Sequence, residues 1–280
     1  MNAGSGELLG DVARILADAG IADAQREAAS LVAAAVRQAG SSGVSARARE
    51  LAAGRAAGTP LAYLTGSAFF MGLDLFVAPG ALVPREETEL LARTSLGILN
   101  ECGAASELRV IDMCCGAGNL TCALAGHHPA VRVWASDLTD GAVNVARANV
   151  ERLSLTDRVT VLQGDLFGPL TDLGLEDTID MVVCNPPYIS TGKLSRDSAE
   201  LLAHEPREAF DGGPYGVSIF QRVVRAGVAF LKPGGHLLFE IGAGQERQVS
   251  LLFSRAGCYE PALAIVDAAG TPRVMVGRKQ

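Results

Sequence analysis

The segment Val110-Ile111-Asp112-Met113-Cys114-Cys115-Gly116-Ala117-Gly118-Asn119-Leu120 passes from an apolar run into small residues and glycines, then into apolar residues at helical spacing. That succession predicts a strand, a tight loop and a helix. Small residues in such a loop let the backbone come close to a ligand and leave the first amides of the helix free to face it. A dinucleotide-binding loop competes with this reading, but its fingerprint needs a third glycine where Thr121 stands. Taken alone, the loop also fits a bare strand-to-helix turn.

Working outward from it, short apolar runs alternate with helical patterns. Leu108 to Asp112, Val131 to Ser136, Val159 to Leu162, Ile179 to Cys184 and His236 to Ile241 are predicted strands. Helices are predicted over 119–126, 140–153, 216–230 and 245–256, and Ala262 to Val266 with Pro272 to Val276 forms a closing hairpin. Strands and helices in alternation with short connections imply an α/β, doubly wound, Rossmann-like parallel sheet, which binds ligands at the carboxyl ends of its strands.

Towards the N-terminus the pattern differs. Leu8, Val12, Ile15 and Leu16, then Ala28, Leu31, Val32 and Val36, then Val44, Ala48 and Leu51 repeat at helical spacing, with Gly20, Gly40 and Gly54 as punctuation. Three or more helices are expected there, forming a small domain over residues 1–66. The runs either side of Gly72 predict a β-hairpin linking it, over 67–80, to a larger domain over 81–280. The acidic run Glu86-Glu87-Thr88-Glu89 opens a further helix, at whose positive end carboxylates sit well.

Composition narrows the class of protein. The chain has 280 residues, 49% hydrophobic and 20% charged, as expected of a folded globular protein. Glu7 and Asp11 interrupt the first apolar residues, and no run approaches the length of a membrane span, so a cytoplasmic enzyme is expected. The net charge of −7, with no Lys/Arg-rich run, argues against a nucleic-acid partner. The six cysteines form no Cys-x-x-Cys pair, so reduced thiols and no metal site are expected.

Two acids at strand ends point to a nucleoside. Asp137 closes the second strand, where a carboxylate accepts both hydroxyls of a ribose. Asp165, after the third strand, is placed to accept an adenine amino group. NAD and S-adenosylmethionine share both features.

The fourth strand separates the two. It ends in Cys184-Asn185-Pro186-Pro187-Tyr188. Prolines fix the backbone and remove donors, which leaves carbonyls facing the cleft. The Asn185 side-chain oxygen and the Pro186 carbonyl then accept two hydrogen bonds from one NH2 group, with Tyr188 as a flat face against a planar substrate. An amide nitrogen is a poor nucleophile because its lone pair is delocalised. Acceptors on both its N–H bonds favour pyramidalisation and aim that lone pair at a sulfonium methyl, so positioning and charge placement carry the reaction.

Asn-Pro-Pro-Tyr with the glycine loop resembles the class I methyltransferases that act on amino or amide nitrogens. Pro60 to Gly66, Val83 to Leu91, Glu205-Pro206-Arg207, Asp211-Gly212-Gly213 and Gly270 to Val274 are similar to the release-factor glutamine N5-methyltransferase family, a resemblance that runs through nearly the whole chain from residue 58. It implies a methyltransferase sheet, S-adenosylmethionine as cofactor with S-adenosylhomocysteine as product, and the glutamine of the Gly-Gly-Gln loop of peptide chain release factors as the methylated residue. The candidate cofactor-binding set is Asp112, Cys114, Cys115, Gly116, Ala117, Gly118, Asp137, Leu138, Asp165, Leu166 and Asn185. Asn185, Pro186, Pro187 and Tyr188 form the catalytic and substrate clamp. Glu205 is added as a substrate contact, with an ion-pairing role shared with Arg207 as the alternative. The helical domain is expected to help grip the release factor.

The chain departs from the family pattern at Glu86, where proline is usual, at Cys114 in place of a first glycine, at Leu166 in place of an aromatic residue, and at Pro214-Tyr215. The last borders the substrate, and it motivates a second hypothesis: a relative acting on a small-molecule amide or amine. Adenine methylation in DNA would need a basic groove and a target-recognition domain. A non-catalytic nucleoside-binding module sits poorly with an intact Asn185 to Tyr188 box.

Overall fold

A computed structural model describes residues 3–40, 43–102, 107–197 and 202–280. Contacts divide the chain into two units, Met1–Ala68 and Phe69–Gln280.

The first unit is helical: α1 (Ala3–Asp18), α2 (Ala24–Ala39), α3 (Val44–Ala56) and the single turn α4 (Leu61–Thr65). Leu8, Val12 and Leu16 recur every four residues on α1 and are buried against Leu31 and Ala35 of α2 and Leu51 of α3. Much of that core is alanine, which lets the helix axes approach closely. Arg55 of α3 holds both carboxylate oxygens of Glu27 on α2, at 2.6 and 3.2 Å. Gly54, expected to end a helix, lies inside α3. A Cβ there would stand 3.1 Å from the Leu64 side chain, so close packing and not helix termination accounts for this glycine.

The boundary between the units falls within β1 (Ser67–Phe70), which forms the hairpin with β2 (Leu73–Phe76). Its loop is Met71-Gly72, with φ of 50° and 78°, the left-handed pair whose twist matches a hairpin. A 3-10 turn, Glu86–Thr88, leads into α5 (Glu89–Glu101). Then follow β3 (Leu108–Met113), α6 (Asn119–His127), β4 (Val131–Asp137), α7 (Asp140–Arg152), β5 (Val159–Gln163), β6 (Ile179–Cys184), α8 (Thr191–Asp197), α9 (Ser218–Phe230), β7 (Leu231–Glu240), α10 (Glu246–Ala256), β8 (Leu263–Val266) and β9 (Pro272–Arg278).

The seven-stranded sheet runs β5-β4-β3-β6-β7-β9-β8, parallel except for β9, which is antiparallel to both its neighbours. Side chains alternate across it. Val110, Val133, Met181, Val183 and Leu238 pack with α5, α6 and α7 on one face. Ile111, Met113, Val182, Cys184, Leu237 and Phe239 pack with α9 and α10 on the other. Strands buried on both faces read as unbroken apolar runs, which is why the sequence shows them so plainly.

Most strand boundaries fall within two residues of the sequence reading, and the larger difference is at β7. β7 begins at Leu231 and not at His236. It pairs Leu231 with Ile179 and His236 with Met181, so Lys232 to Gly235 bulges out of the ladder. The Pro-Gly-Gly in that segment signals a break, and the break is an excursion within one strand. The α8 turn over Thr191–Asp197 was not foreseen. No helix among the described residues is long and apolar enough to cross a membrane.

The registers bring the carboxyl ends into line: Met113 lies beside Ser136 and Cys184, and Asp137 beside Gln163. The loops after β3, β4, β5 and β6 therefore open on one edge. Between β3 and β6 the winding reverses, and crevices form at such points.

Candidate active site

An open cleft lies on that edge, with about 960 Å³ of empty space counting the solvent at its mouth. Its walls include Gly80 to Arg85, Thr88, Cys114 to Ala117, Asn119, Ser136 to Thr139, Gly164 to Leu166, Asn185, Pro187 and Pro206.

The β3–α6 loop is built on left-handed backbone. Cys114, Gly116 and Gly118 have φ of 57°, 54° and 76°. A side chain at φ near +57° costs roughly 1–2 kcal/mol, which explains the usual glycine at the position Cys114 occupies. A Cβ on Gly118 would stand 3.1–3.2 Å from Ala146 of α7, so glycine there lets the loop seat on that helix. Buried Asn149 on α7 fastens the loop from below, donating to Ala117 O at 2.9 Å and bonding both backbone groups of Phe76.

Three acids surround the loop. Asp137 Oδ2 accepts the Gly116 amide at 2.9 Å and its Oδ1 accepts the Thr139 amide at 3.2 Å. Oδ1 also takes the Thr139 hydroxyl at 3.4 Å, while Oδ2 keeps a further acceptor site. Asp165 pairs with Arg222 at 2.6 Å, but both are half-exposed, so the pair holds by only about 0–1 kcal/mol and leaves Asp165 free to meet a ligand. Asp112 is fully buried. Its Oδ2 accepts the Thr121 amide at 3.0 Å and hydroxyl at 2.5 Å, while Oδ1 has no partner among the described residues. Burial pushes its pKa up to about 7, against the pull of the two Thr121 bonds. A lone buried carboxylate oxygen behind a ligand loop fits a cofactor carrying an ammonium group, as S-adenosylmethionine does.

Asn185 follows β6 directly. Its Nδ2 donates to Thr88 Oγ1 at 3.2 Å, and Thr88 is itself buried. Oδ1 carries no hydrogen bond from any described residue. Tyr188 turns towards β7, with its hydroxyl 3.4 Å from Glu240 Oε1, and burial raises the phenol's pKa. Two more segments brace this loop. Gln245 spans it, taking the Gly242 amide at 2.8 Å and donating to Tyr188 O at 3.1 Å and Gly216 O at 3.2 Å. Ile189 exchanges backbone bonds with Phe210 and Gly212.

Of the sequence-predicted residues, the structure brings Cys114, Cys115, Gly116, Ala117, Asp137, Leu138, Asp165, Leu166, Asn185 and Pro187 to the cleft wall. Gly118 sits behind the loop, against α7, and Asp112 beneath it. Pro186 is buried and Tyr188 half-buried, and neither lines this cleft. The Glu205 carboxylate accepts the Val83 amide at 2.9 Å and pairs with Arg85, and its side chain is 3% exposed. That commitment fits the ion-pairing reading, although the partner is Arg85; Arg207 pairs instead with Asp211. The roles of Thr88, Asn149, Glu240 and Gln245 were missed. Glu240 carried a usable signal, since it closes a strand just as Asp137 does.

A mainly parallel sheet with one antiparallel strand inserted near its edge, and an open cleft at its switch point, defines the doubly wound methyltransferase class. A methyltransferase from Pyrococcus furiosus shares the fold, with a TM-score of 0.51 at 15% identity, over 74% of this chain and 89% of that one. The family described as "Methyltransferase small domain" matches residues 93–215. Release factor glutamine methyltransferase of Moorella thermoacetica is 38% identical over 81% of this chain and 77% of its own. That of Geobacter sulfurreducens is 37% identical over 82% and 77%. The chain belongs to the release factor glutamine methyltransferase family.

Proposed function

We propose that this enzyme transfers a methyl group from S-adenosylmethionine to the side-chain amide nitrogen of the glutamine in the Gly-Gly-Gln loop of a peptide chain release factor, in the cytoplasm where release factors work. The observation that carries the reading is Asn185: its NH2 is engaged by Thr88, and its oxygen is left without a donor among the described residues at a cleft shared with the glycine loop. An acceptor held in that way selects a substrate with N–H bonds to give.

The cofactor supplies an electrophilic methyl carried on sulfonium sulfur. Asp137 and Asp165 would hold its ribose and adenine, with Leu138 and Leu166 as apolar walls, and Asp112 would face its ammonium end. On the substrate side, Asn185 Oδ1 on the cleft wall accepts an N–H bond of the glutamine, which draws the nitrogen towards a pyramid with its lone pair in line; the Pro186 carbonyl, expected as the second acceptor, belongs to a residue off that wall. Pre-set acceptors of this kind act where positive charge grows on nitrogen and need no reorganisation as it does so. The nitrogen then releases a proton readily. The similarity to relatives named for release factor glutamine favours this substrate over a small-molecule amide.

The test is transfer of label from methyl-labelled cofactor to a purified release factor, and to the same factor with the Gly-Gly-Gln glutamine replaced by alanine. Label is expected in the first and absent from the second. Equal labelling of both, or of neither, overturns the reading.

A further inference from the structure

Gln245 stands just before α10, and its side chain reaches backbone groups on three segments. Its Oε1 accepts the Gly242 amide at 2.8 Å, in the loop after β7. Its NH2 donates to two carbonyls: Tyr188 O at 3.1 Å, at the end of the Asn185 to Tyr188 box, and Gly216 O at 3.2 Å. A backbone N–H can only donate and a carbonyl can only accept, so these partners allow one orientation of the Gln245 amide. Its own backbone is tied down as well. The Gln245 N–H donates to Gly242 O at 3.1 Å, and its carbonyl accepts the Val249 amide at 3.0 Å in the first turn of α10.

The two carbonyls depend on that shared donor. Gly216 closes a turn from Gly213, whose carbonyl accepts the Gly216 amide at 3.2 Å. Gly216 is buried, and a Cβ on it would stand 2.3 Å from Tyr188 O, so the turn presses directly on the end of the catalytic loop. Without the Gln245 NH2, both oxygens would face the same gap with no donor in it. A stranded acceptor costs more than its bond was worth, and the loop would move to relieve it.

Such a movement would reach Asn185. Pro186 and Pro187 have φ fixed by their rings, which leaves the chain between Asn185 and Tyr188 few torsions in which to absorb a shift. We propose that Gln245 is a positioning residue for methyl transfer: by holding the Tyr188 carbonyl, it sets where Asn185 Oδ1 meets the substrate nitrogen. Gln245 does not line the cleft, so it acts only through the loop it holds. The inference rests on Asn185 being the acceptor for the glutamine NH2.

The experiment uses the full chain, methyl-labelled cofactor and purified release factor. Gln245→Met keeps the length of the side chain and loses its three hydrogen bonds. It should lower kcat by about tenfold to a hundredfold, the scale set by a shift of up to about 1 Å at a reacting group. KM for the release factor should stay within about threefold. Affinity for S-adenosylhomocysteine, measured by calorimetry, should match that of the parent, because the loops after β3 and β4 are untouched. The decisive measurement is the same substitution in an Asn185→Ala enzyme. There Gln245 has nothing left to position, so Gln245→Met should cost less than about threefold, a non-additivity that general weakening of the fold would not produce. Should Gln245→Met not fold, Gln245→Glu gives the same cycle: it keeps the size and the Gly242 bond, and its carboxylate has no proton for either carbonyl. Parental kcat in the single variant, or an undiminished further loss in the Asn185→Ala background, overturns the inference while leaving the proposed function intact. A parent enzyme that fails to label the release factor overturns both.

Discussion

The Gly116 amide donates to Asp137 Oδ2 at 2.9 Å, so the carboxylate proposed to hold the ribose also anchors the glycine loop. Asp137→Ala should therefore weaken S-adenosylhomocysteine binding by about tenfold to a hundredfold, the range for losing a hydrogen bond to a charged group. Calorimetry would show it. Unchanged affinity would remove Asp137 from the cofactor site.

If Asp112 faces the cofactor's ammonium group as proposed, cofactor affinity should depend on pH. The Asp112 carboxyl is held at about 7 by burial, and only the ionised form attracts an ammonium group. Affinity should fall by up to about tenfold per pH unit below 7 and level off above it. Stability should move the other way. Its folded pKa lies above the roughly 3.9 of an unfolded chain, so ionisation opposes folding, and stability is lost as pH rises from about 4 to 7. Asp112→Asn should flatten both profiles. A dissociation constant that stays level from pH 6 to 8 in the parent would rule out the ammonium contact.

Much of this was legible in the sequence, because doubly buried strands are unbroken apolar runs and the site hangs on strand ends. Asp137 and Asn185 could be placed for that reason alone. The bracing was not legible. Thr88 and Asn185 are 97 positions apart, and Val83 and Glu205 are 122 apart, so only the sheet's winding brings them together. Tyr188 could be assigned to the box, but its turn towards Glu240 depends on β7 lying beside β6. Gly54 was misread for a related reason: its neighbour is Leu64, in another helix.

Loss of Asn185 should separate binding from chemistry. Asn185→Ala removes the acceptor and leaves the glycine loop and Asp137 untouched. Cofactor affinity should stay within a few-fold while turnover on the release factor drops by roughly two orders of magnitude or more, as when a pre-set polar group is lost. A drop of less than about threefold would show that Asn185 has no part in the reaction.

Glu205 separates a structural role from a substrate contact. Glu205→Ala strands the Val83 amide, at a cost of about 1–3 kcal/mol. Arg85 is 38% exposed and can turn to water, so its loss of a partner adds little. Tm should fall by roughly 2–4 °C per kcal/mol for a unit of this size. KM for the release factor should change little if the carboxylate only ties Val83 and Arg85. A large rise in KM at unchanged Tm would restore Glu205 as a substrate contact.

At Gly212 the Asn185 to Tyr188 loop leaves no room for a single methyl group. A Cβ there would lie 2.6 Å from the Pro187 carbonyl oxygen and 2.9 Å from Tyr188 Cα, both backbone atoms that cannot swing aside. The Ile189 carbonyl accepts the Gly212 amide at 2.8 Å, so the two segments cannot separate without breaking that bond. Gly212→Ala must displace Pro187 and Tyr188, and a shift of about 1 Å at a reacting group costs on the order of a hundredfold in rate. The cofactor loop lies on other strands, so S-adenosylhomocysteine should bind almost as before while turnover collapses. Gly192→Ala is the control, since nothing lies within 4 Å of the position its Cβ would take. Equal turnover in the two variants would mean that the close approach of Gly212 does not set the geometry of Asn185 to Tyr188.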